Sequence, residues 1–252
     1  MIQEFIGSVK HGLRDAVTNA QIAGDGWLSR FGTGDCILCL EKASRGAVCD
    51  NCERLLAPSA PGCPRCGFES PRGEICGECR RHPPDFDDIV TAFAYRFPVD
   101  RLIQRFKFAG DLAVGTYLGG ALFRAVALSA RPDLVLASPT SSLRLRERGF
   151  SPALLLAREV ASPLDLPLDG RALAKVRHTP PQTGLGRLAR RRNVRGAFAC
   201  LRPLDGLHVA VVDDVVTTGA TLSAIALALK GSGARRVTGW MVARTPEPRR
   251  KG

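Results

Sequence analysis

The 252-residue chain has few aromatic side chains, 6% of the total with two Trp and two Tyr. Proteins that hold single strands of nucleic acid by stacking depend on such rings. Any nucleic-acid binding here is therefore expected to be mainly electrostatic and steeply salt-dependent. No apolar run reaches the roughly 18 residues that a membrane-spanning helix requires. Residues 1–20 alternate charged and apolar positions without a continuous apolar core, so they do not read as a secretion signal and the expected location is cytoplasmic. No Lys follows a glycine turn in the Walker A manner, and no Gly-x-Gly-x-x-Gly follows a candidate strand. Both absences weigh against ATPase and dinucleotide chemistry.

Positive charge and cysteine are plentiful. The formal net charge is +12, which suits an anionic partner such as a phosphate-bearing substrate or nucleic acid. Eight Lys or Arg and no Asp or Glu fall within 171–195. Eight of the nine cysteines form four Cys-x-x-Cys pairs: Cys36 and Cys39, Cys49 and Cys52, Cys63 and Cys66, Cys76 and Cys79. The second four repeat the first four at a constant offset of 27 residues, which marks an internal repeat. In a chain read as cytoplasmic, this pattern points to metal rather than disulfides. Two Cys-x-x-Cys turns supply the four thiolates of a tetrahedral Zn2+ site, and all-cysteine sites are structural because no position stays open. Two zinc sites are expected. Pairing neighbouring turns closes the shorter loops; pairing first with third and second with fourth also satisfies the repeat. With eight thiolates and two Zn2+, the stretch 36–82, which has seven basic and six acidic residues, becomes net negative. The basic surface must then lie elsewhere.

Four segments follow from these patterns. Residues 1–34 place Ile2, Phe5, Ile6, Val9, Leu13 and Val17 at helical spacing, as in an amphipathic helix. Residues 35–82 are the cysteine module. Residues 83–245 alternate strand and helix, predicting strands over 89–97, 134–137, 197–201, 209–212 and 236–243, with helices over 100–108, 112–131, 152–161 and 219–231. This order predicts an α/β domain with a mainly parallel sheet. Residues 246–252 are rich in Pro and Arg and read as a disordered tail.

Within 209–221 an apolar strand runs into Asp213 and Asp214, then Val-Val-Thr-Thr-Gly-Ala-Thr. A glycine turn opening a helix offers backbone N–H groups and the positive end of the helix dipole to an anion. Thr217, Thr218, Gly219, Ala220 and Thr221 can thus wrap a phosphate monoester. The two carboxylates cannot bind phosphate, but they can accept hydrogen bonds from sugar hydroxyls and orient a hydrated Mg2+. A sugar phosphate is the expected ligand class.

The stretch 211–221 resembles the phosphoribosyl pyrophosphate (PRPP) motif of type I phosphoribosyltransferases. Joined to a cysteine-rich front module, and with Leu-Arg-Leu-Arg-Glu-Arg-Gly-Phe at 143–150, Thr-Pro-Pro-Gln-Thr-Gly-Leu at 179–185 and Arg-Arg-Arg-Asn-Val-Arg-Gly-Ala-Phe at 190–198, it is similar to the ComF (competence protein F) family over about 36–243. The resemblance implies a type I phosphoribosyltransferase-like domain behind a double zinc ribbon. It implies that Asp213 and Asp214 hold the ribose hydroxyls and the Mg2+ hydration shell, and that 217–221 hold the 5-phosphate. Ser138 to Arg144 would occupy the pyrophosphate loop. Residues 177–195, with Arg187, Arg190, Arg191, Arg192 and Arg195, would be the hood that closes over PRPP. Lys107 also matches a family lysine, though a cation at a helix C-terminus has a plain structural reading as well. The implied setting is DNA uptake, with single-stranded DNA and a helicase-type protein as partners.

This sequence departs from the family pattern in three places. Ala137-Ser138-Pro139-Thr140-Ser141-Ser142 replaces the usual Pro-Val-Pro-Leu type run. Ser151-Pro152 stands where Asn-Gln is common. Thr217 stands where some purine-using relatives carry an acid that serves as base. Phosphoribosyl transfer and non-catalytic sensing of PRPP or a nucleotide both remain open, as does a role in binding single-stranded DNA.

Overall fold

The computed structural model describes residues 34–43, 46–56, 58–59, 61–70, 72–177, 194 and 196–246. The helix expected in 1–34, most of the hood over 177–195, Arg191 included, and the tail beyond Pro246 lie outside the described residues.

Two cysteine ribbons come first. Each has a turn between its Cys-x-x-Cys pairs and a short helix, α1 (Asp50–Glu53) in one and α2 (Gly77–Arg81) in the other. The strands that follow are β1 (Asp88–Ala94), β2 (Leu134–Ala137), β3 (Leu168–Asp169), β4 (Leu173–Lys175), β5 (Phe198–Cys200), β6 (His208–Val216) and β7 (Arg236–Arg244). Five of them form a sheet in the order β1-β7-β6-β2-β3, with every pairing parallel. β4 and β5 form an antiparallel pair apart from it.

Parallel strands need crossovers, and helices supply them. They are α3 (Val99–Gln104), which runs into a π-helical turn (Arg105–Ala109), then α4 (Leu112–Val126), α5 (Ser142–Arg148), α6 (Pro152–Ala161) and α7 (Ala220–Gly231). Capping residues set several boundaries. Asp111 accepts the Val114 N–H at 3.2 Å before α4, and Ser151 accepts the Leu154 N–H at 3.4 Å before α6, which has Pro152 at its start.

The sheet separates two cores. On one face Leu118, Leu122, Leu156 and Val160 from α4 and α6 pack with Val212 and Trp240. On the other, Leu222, Ile225 and Leu229 from α7 pack with Val209, Val211 and Val237 and with Phe198 of β5. Burial on both faces explains the valine-rich run of β6 and the apolar run of β7.

The sequence reading needs correction at several boundaries. The strand expected over 209–212 runs from His208 to Val216 and includes both aspartates, because β7 continues the ladder opposite Asp213, Val215 and Val216. The strand expected over 89–97 stops at Ala94. The helix expected over 100–108 changes to π geometry at Arg105, and that expected over 112–131 ends at Val126. Helix α5 and strands β3 and β4 were not anticipated. The last three residues of the expected loop over 138–144 are therefore helical, and Arg144 sits on α5.

Candidate functional site

Parallel α/β sheets bind ligands where strands end at their carboxyl side. β6 ends there with Asp213, Asp214, Val215 and Val216. Asp213 is half-buried and Asp214 is buried. The Asp213 carboxylate accepts the Asp214 N–H at 2.9 Å, and that of Asp214 accepts the Val215 N–H at 2.6 Å. Lys107, from the π-helical turn, places its Nζ 2.8 Å from the same Asp214 Oδ1. Ser138 follows β2 and donates its N–H to the Val212 carbonyl at 2.9 Å, and its side chain favours the ionised form of Asp213. Four residues singled out from sequence thus meet at one point: Lys107, Ser138, Asp213 and Asp214.

Burial is the main influence on Asp213, and the neighbouring Asp214 charge adds to it. Together they push its pKa up to about 6, against the opposing pull of Lys107, the Asp214 N–H and the Ser138 hydroxyl. Two adjacent carboxylates in a poorly solvated place, with one lysine against them, fit a site that gains from a further cation or from hydroxyl donors.

Thr217, Thr218 and Gly219 lead from β6 into α7. Gly219 is the cap residue at φ 76°, a backbone region open to glycine at little cost. A Cβ there would also lie 3.3 Å from the Phe86 ring. The Thr218 hydroxyl accepts the Ala220 N–H at 3.3 Å. Ala220 and Thr221 form the first turn of α7, whose N-terminus is separated from Asp214 by Val215 to Gly219.

Beside this point lies a cleft of about 630 Å³, lined by Tyr95, Lys107, Phe108, Arg144, Glu147 and Arg148 among others. Arg148 stacks 5.0 Å from the Phe108 ring centroid. Lys107 belongs to both places, with its head on Asp214 and its flank in the cleft. Arg144 lies in the cleft rather than in the cluster around the aspartates. The sequence reading quoted Glu147 and Arg148 only within the motif at 143–150 and gave neither them nor Phe108 a place in a site. A usable signal was present: Ser141 caps α5 by accepting the Arg144 N–H at 3.4 Å, and Gly149 closes it at φ 75°, a start and stop legible in sequence.

The cysteines gather as the local pairing expects. Cys36, Cys39, Cys49 and Cys52 form one group, and Cys63, Cys66, Cys76 and Cys79 the other, with all sulfurs of a group within 4.8 Å of one another. Cys39 and Cys49 Sγ stand 3.6 Å apart, and Cys66 and Cys76 Sγ 3.7 Å. A tetrahedron with Zn–S bonds of about 2.3 Å has edges of about 3.8 Å. Backbone N–H groups of Leu38 and Cys76 point at Cys36 and Cys63 Sγ at 3.4 and 3.3 Å, an arrangement that favours thiolates. Both groups could hold Zn2+.

The chain matches no protein-family model. Among curated proteins it is 33% identical to DNA utilization protein YhgH of Salmonella typhimurium, over 80% of this chain and 92% of that protein. It is 33% identical to competence protein F of Haemophilus influenzae, again over 80% and 92%. It is 25% identical to competence protein ComFC of Bacillus subtilis, over 74% and 79%. Among solved structures, a glutamine PRPP amidotransferase from B. subtilis aligns with 50% of this chain and 25% of its own at 24% identity and a TM-score of 0.35. At that level the likeness says nothing of ligand or chemistry. The likeness to curated relatives, over four-fifths of this chain and nine-tenths of theirs, is of another order, and by it the chain belongs to the ComF family of competence protein F.

Proposed function

We propose that the domain over 83–245 binds PRPP with Mg2+ and transfers its phosphoribosyl group to an acceptor held in the cleft, while the ribbons over 35–82 support it. The observation that carries this reading is the meeting of Asp213, Asp214 and Lys107 on the strand that leads through Thr217 to Gly219 into α7. In this reading the 5-phosphate lies on Thr217 to Thr221, where N–H and hydroxyl donors meet the helix dipole. The ribose hydroxyls donate to Asp213 and Asp214. Mg2+, when bound, would neutralise charge on the pyrophosphate. Lys107 holds Asp214 in place, and Ser138 does the same for Asp213. Arg144 offers a guanidinium fork to phosphate oxygens from the cleft side, and Arg191 would add a second from the hood. The names of the relatives, DNA utilization and competence, support a setting in DNA handling. The basic surface is then available to single-stranded DNA by charge alone, and a helicase-type protein is the partner expected at the DNA. Among the described residues no helix is long and apolar enough to cross a membrane.

One observation favours a second reading, in which PRPP or a nucleotide is sensed rather than consumed. Thr217 stands at the place of a catalytic acid, leaving no side chain there to act as base.

Calorimetry with PRPP and Mg2+ tests the site. The wild type is expected to bind, and the Asp213→Asn/Asp214→Asn double variant to lose binding. Equal binding by both would remove the assignment. The pH dependence has a definite sign. Asp213 has a raised pKa, so it is ionised above about 6 and protonated below. Affinity should therefore be full at about pH 7.5 and fall as pH drops through about 6, a fall shallower in the Asp213→Asn single variant, where only the phosphate of the ligand, with its second pKa of about 6, still titrates. Pyrophosphate release across a panel of acceptors then separates transfer from sensing.

A further inference from the structure

The π-helical turn sends three neighbouring side chains to three different places. Arg105 donates from Nη1 to the main-chain carbonyl of Ile37, inside the first Cys36-to-Cys39 turn, and from Nη2 to Asp111 at 2.6 Å. Phe106 is fully buried. It seats against Gly115, where a Cβ would lie only 2.5 Å from its ring. Lys107 reaches Asp214 at 2.8 Å. The backbone of this one turn thus joins a contact to the first cysteine group, made by Arg105, with a contact to the acid pair, made by Lys107.

A second tie runs beside it. Glu53, next to Cys52, accepts the Tyr117 hydroxyl at 2.9 Å, and Tyr117 lies on α4, whose capping residue is the same Asp111 that Arg105 grips. The described ties of the second ribbon lead elsewhere, to β1 through Pro64 and Ile89 and to Arg244 through Phe68. π turns inside helices often mark functional positions because they displace side chains from α-helical register. Here that displacement lets Arg105 and Lys107 face the first cysteine turn and a pair of carboxylates at once.

We propose that Arg105 is a positioning residue that couples the first four-cysteine site to the ligand site by holding Lys107 against Asp214, so that ligand affinity depends on the first metal site and not on the second. The affinity part of this inference rests on the PRPP reading given above; the coupling itself does not. A closed zinc site rigidifies the loop that carries Ile37. That loop fixes Arg105, and Arg105 fixes the turn from which Lys107 reaches the acids. Without the loop, Lys107 would have to be ordered at the moment of binding, with the conformational cost charged to affinity.

Two readouts on full-length, zinc-loaded protein test it. Hydrogen exchange read by mass spectrometry over 102–110 is expected to rise in Arg105→Gln and in Cys39→Ser, and to stay at the wild-type rate in Cys66→Ser. Calorimetry with PRPP and Mg2+ is expected to show about tenfold weaker binding for Arg105→Gln. The further loss should be less than about twofold when Arg105→Gln is added to Lys107→Met, as coupling through Lys107 requires. Arg105→Lys should recover part of the affinity. Equal losses with Lys107 intact and in the Lys107→Met background would assign Arg105 a general structural role and overturn the coupling. So would equal exchange in the two cysteine variants. Should the cysteine variants not fold, Arg105→Gln alone decides on both readouts. If wild type binds no PRPP, the ligand reading fails and exchange over 102–110 alone decides the coupling.

Discussion

The two ribbons share a backbone and differ in what lies beneath them. Their hydrogen bonds repeat at the offset of the sequence: Cys36 N–H to Glu41 O and Cys63 N–H to Phe68 O are both 2.7 Å, and the Asp35–Lys42 bridge recurs as Gly62–Glu69. Yet Ala43, Val48, Cys52 and Leu56 of the first ribbon belong to the same buried cluster as α4 and α6. In the second, Cys63, Cys66 and Cys79 form a small cluster of their own with Phe68 and Ile75. A loop closed by metal needs little apolar core to hold its shape. One copy can therefore turn its apolar side chains toward a neighbour while the other keeps them, without changing the fold of either.

Substitutions in the two ribbons sharpen or break this comparison. The largest effect is expected from the cysteines. Cys36→Ser, at a fully buried position, should lower global stability by more than roughly 4 kcal/mol. Cys63→Ser should open its own ribbon and move the main unfolding transition by less than about 2 kcal/mol. Zinc content and urea melts followed by Trp fluorescence check both, and equal shifts would refute the contrast. Gly67→Ala comes next, costing about 1–2 kcal/mol, since Gly67 has φ 72° and a Cβ there would press on Ile89 at 3.2 Å. Tyr117→Phe removes the hydroxyl that ties α4 to the first ribbon and should cost about 1 kcal/mol; the cost should vanish in zinc-free protein if the ribbon is what holds Glu53. The smallest effect has the opposite sign. Leu40 occupies the position equivalent to Gly67, at φ 65° and 75% exposed. Leu40→Gly relieves a left-handed leucine and should stabilise by about 0.5–1 kcal/mol, seen as a raised thermal midpoint.

The sequence disclosed some parts of this structure more readily than others, for physical reasons. Cysteine pairing was legible because thiolate geometry is local and the repeat is literal. The parallel sheet was legible because strands buried on both faces leave uninterrupted apolar runs. Asp213 and Asp214 were visible, but as the end of a strand. Their place inside β6 depends on the ladder to β7, a tertiary effect that overrides the usual reading of charge as a stop. β3 and β4 have two and three residues, too few to show a period. Helix α5 was hidden because its exposed, arginine-rich surface has no apolar stripe, although its caps were in plain sight. Lys107 was noticed, but its partner Asp214 lies far along the chain, and nothing local in Arg105 announces a bond to Ile37.

The segment between the ribbons has a consequence of another kind. Pro58 bridges to Phe93, the Ser59 N–H meets the Ala92 carbonyl at 3.0 Å and Pro64 accepts from Ile89 at 3.1 Å, so this segment lies along the outer side of β1. The opposite rim, β3, is only two residues long. A parallel sheet with one rim short and the other covered offers little to a second sheet. Those contacts belong to the cysteine module, so the metal that closes it also helps keep the seven residues of β1, Asp-Ile-Val-Thr-Ala-Phe-Ala, from pairing with another chain.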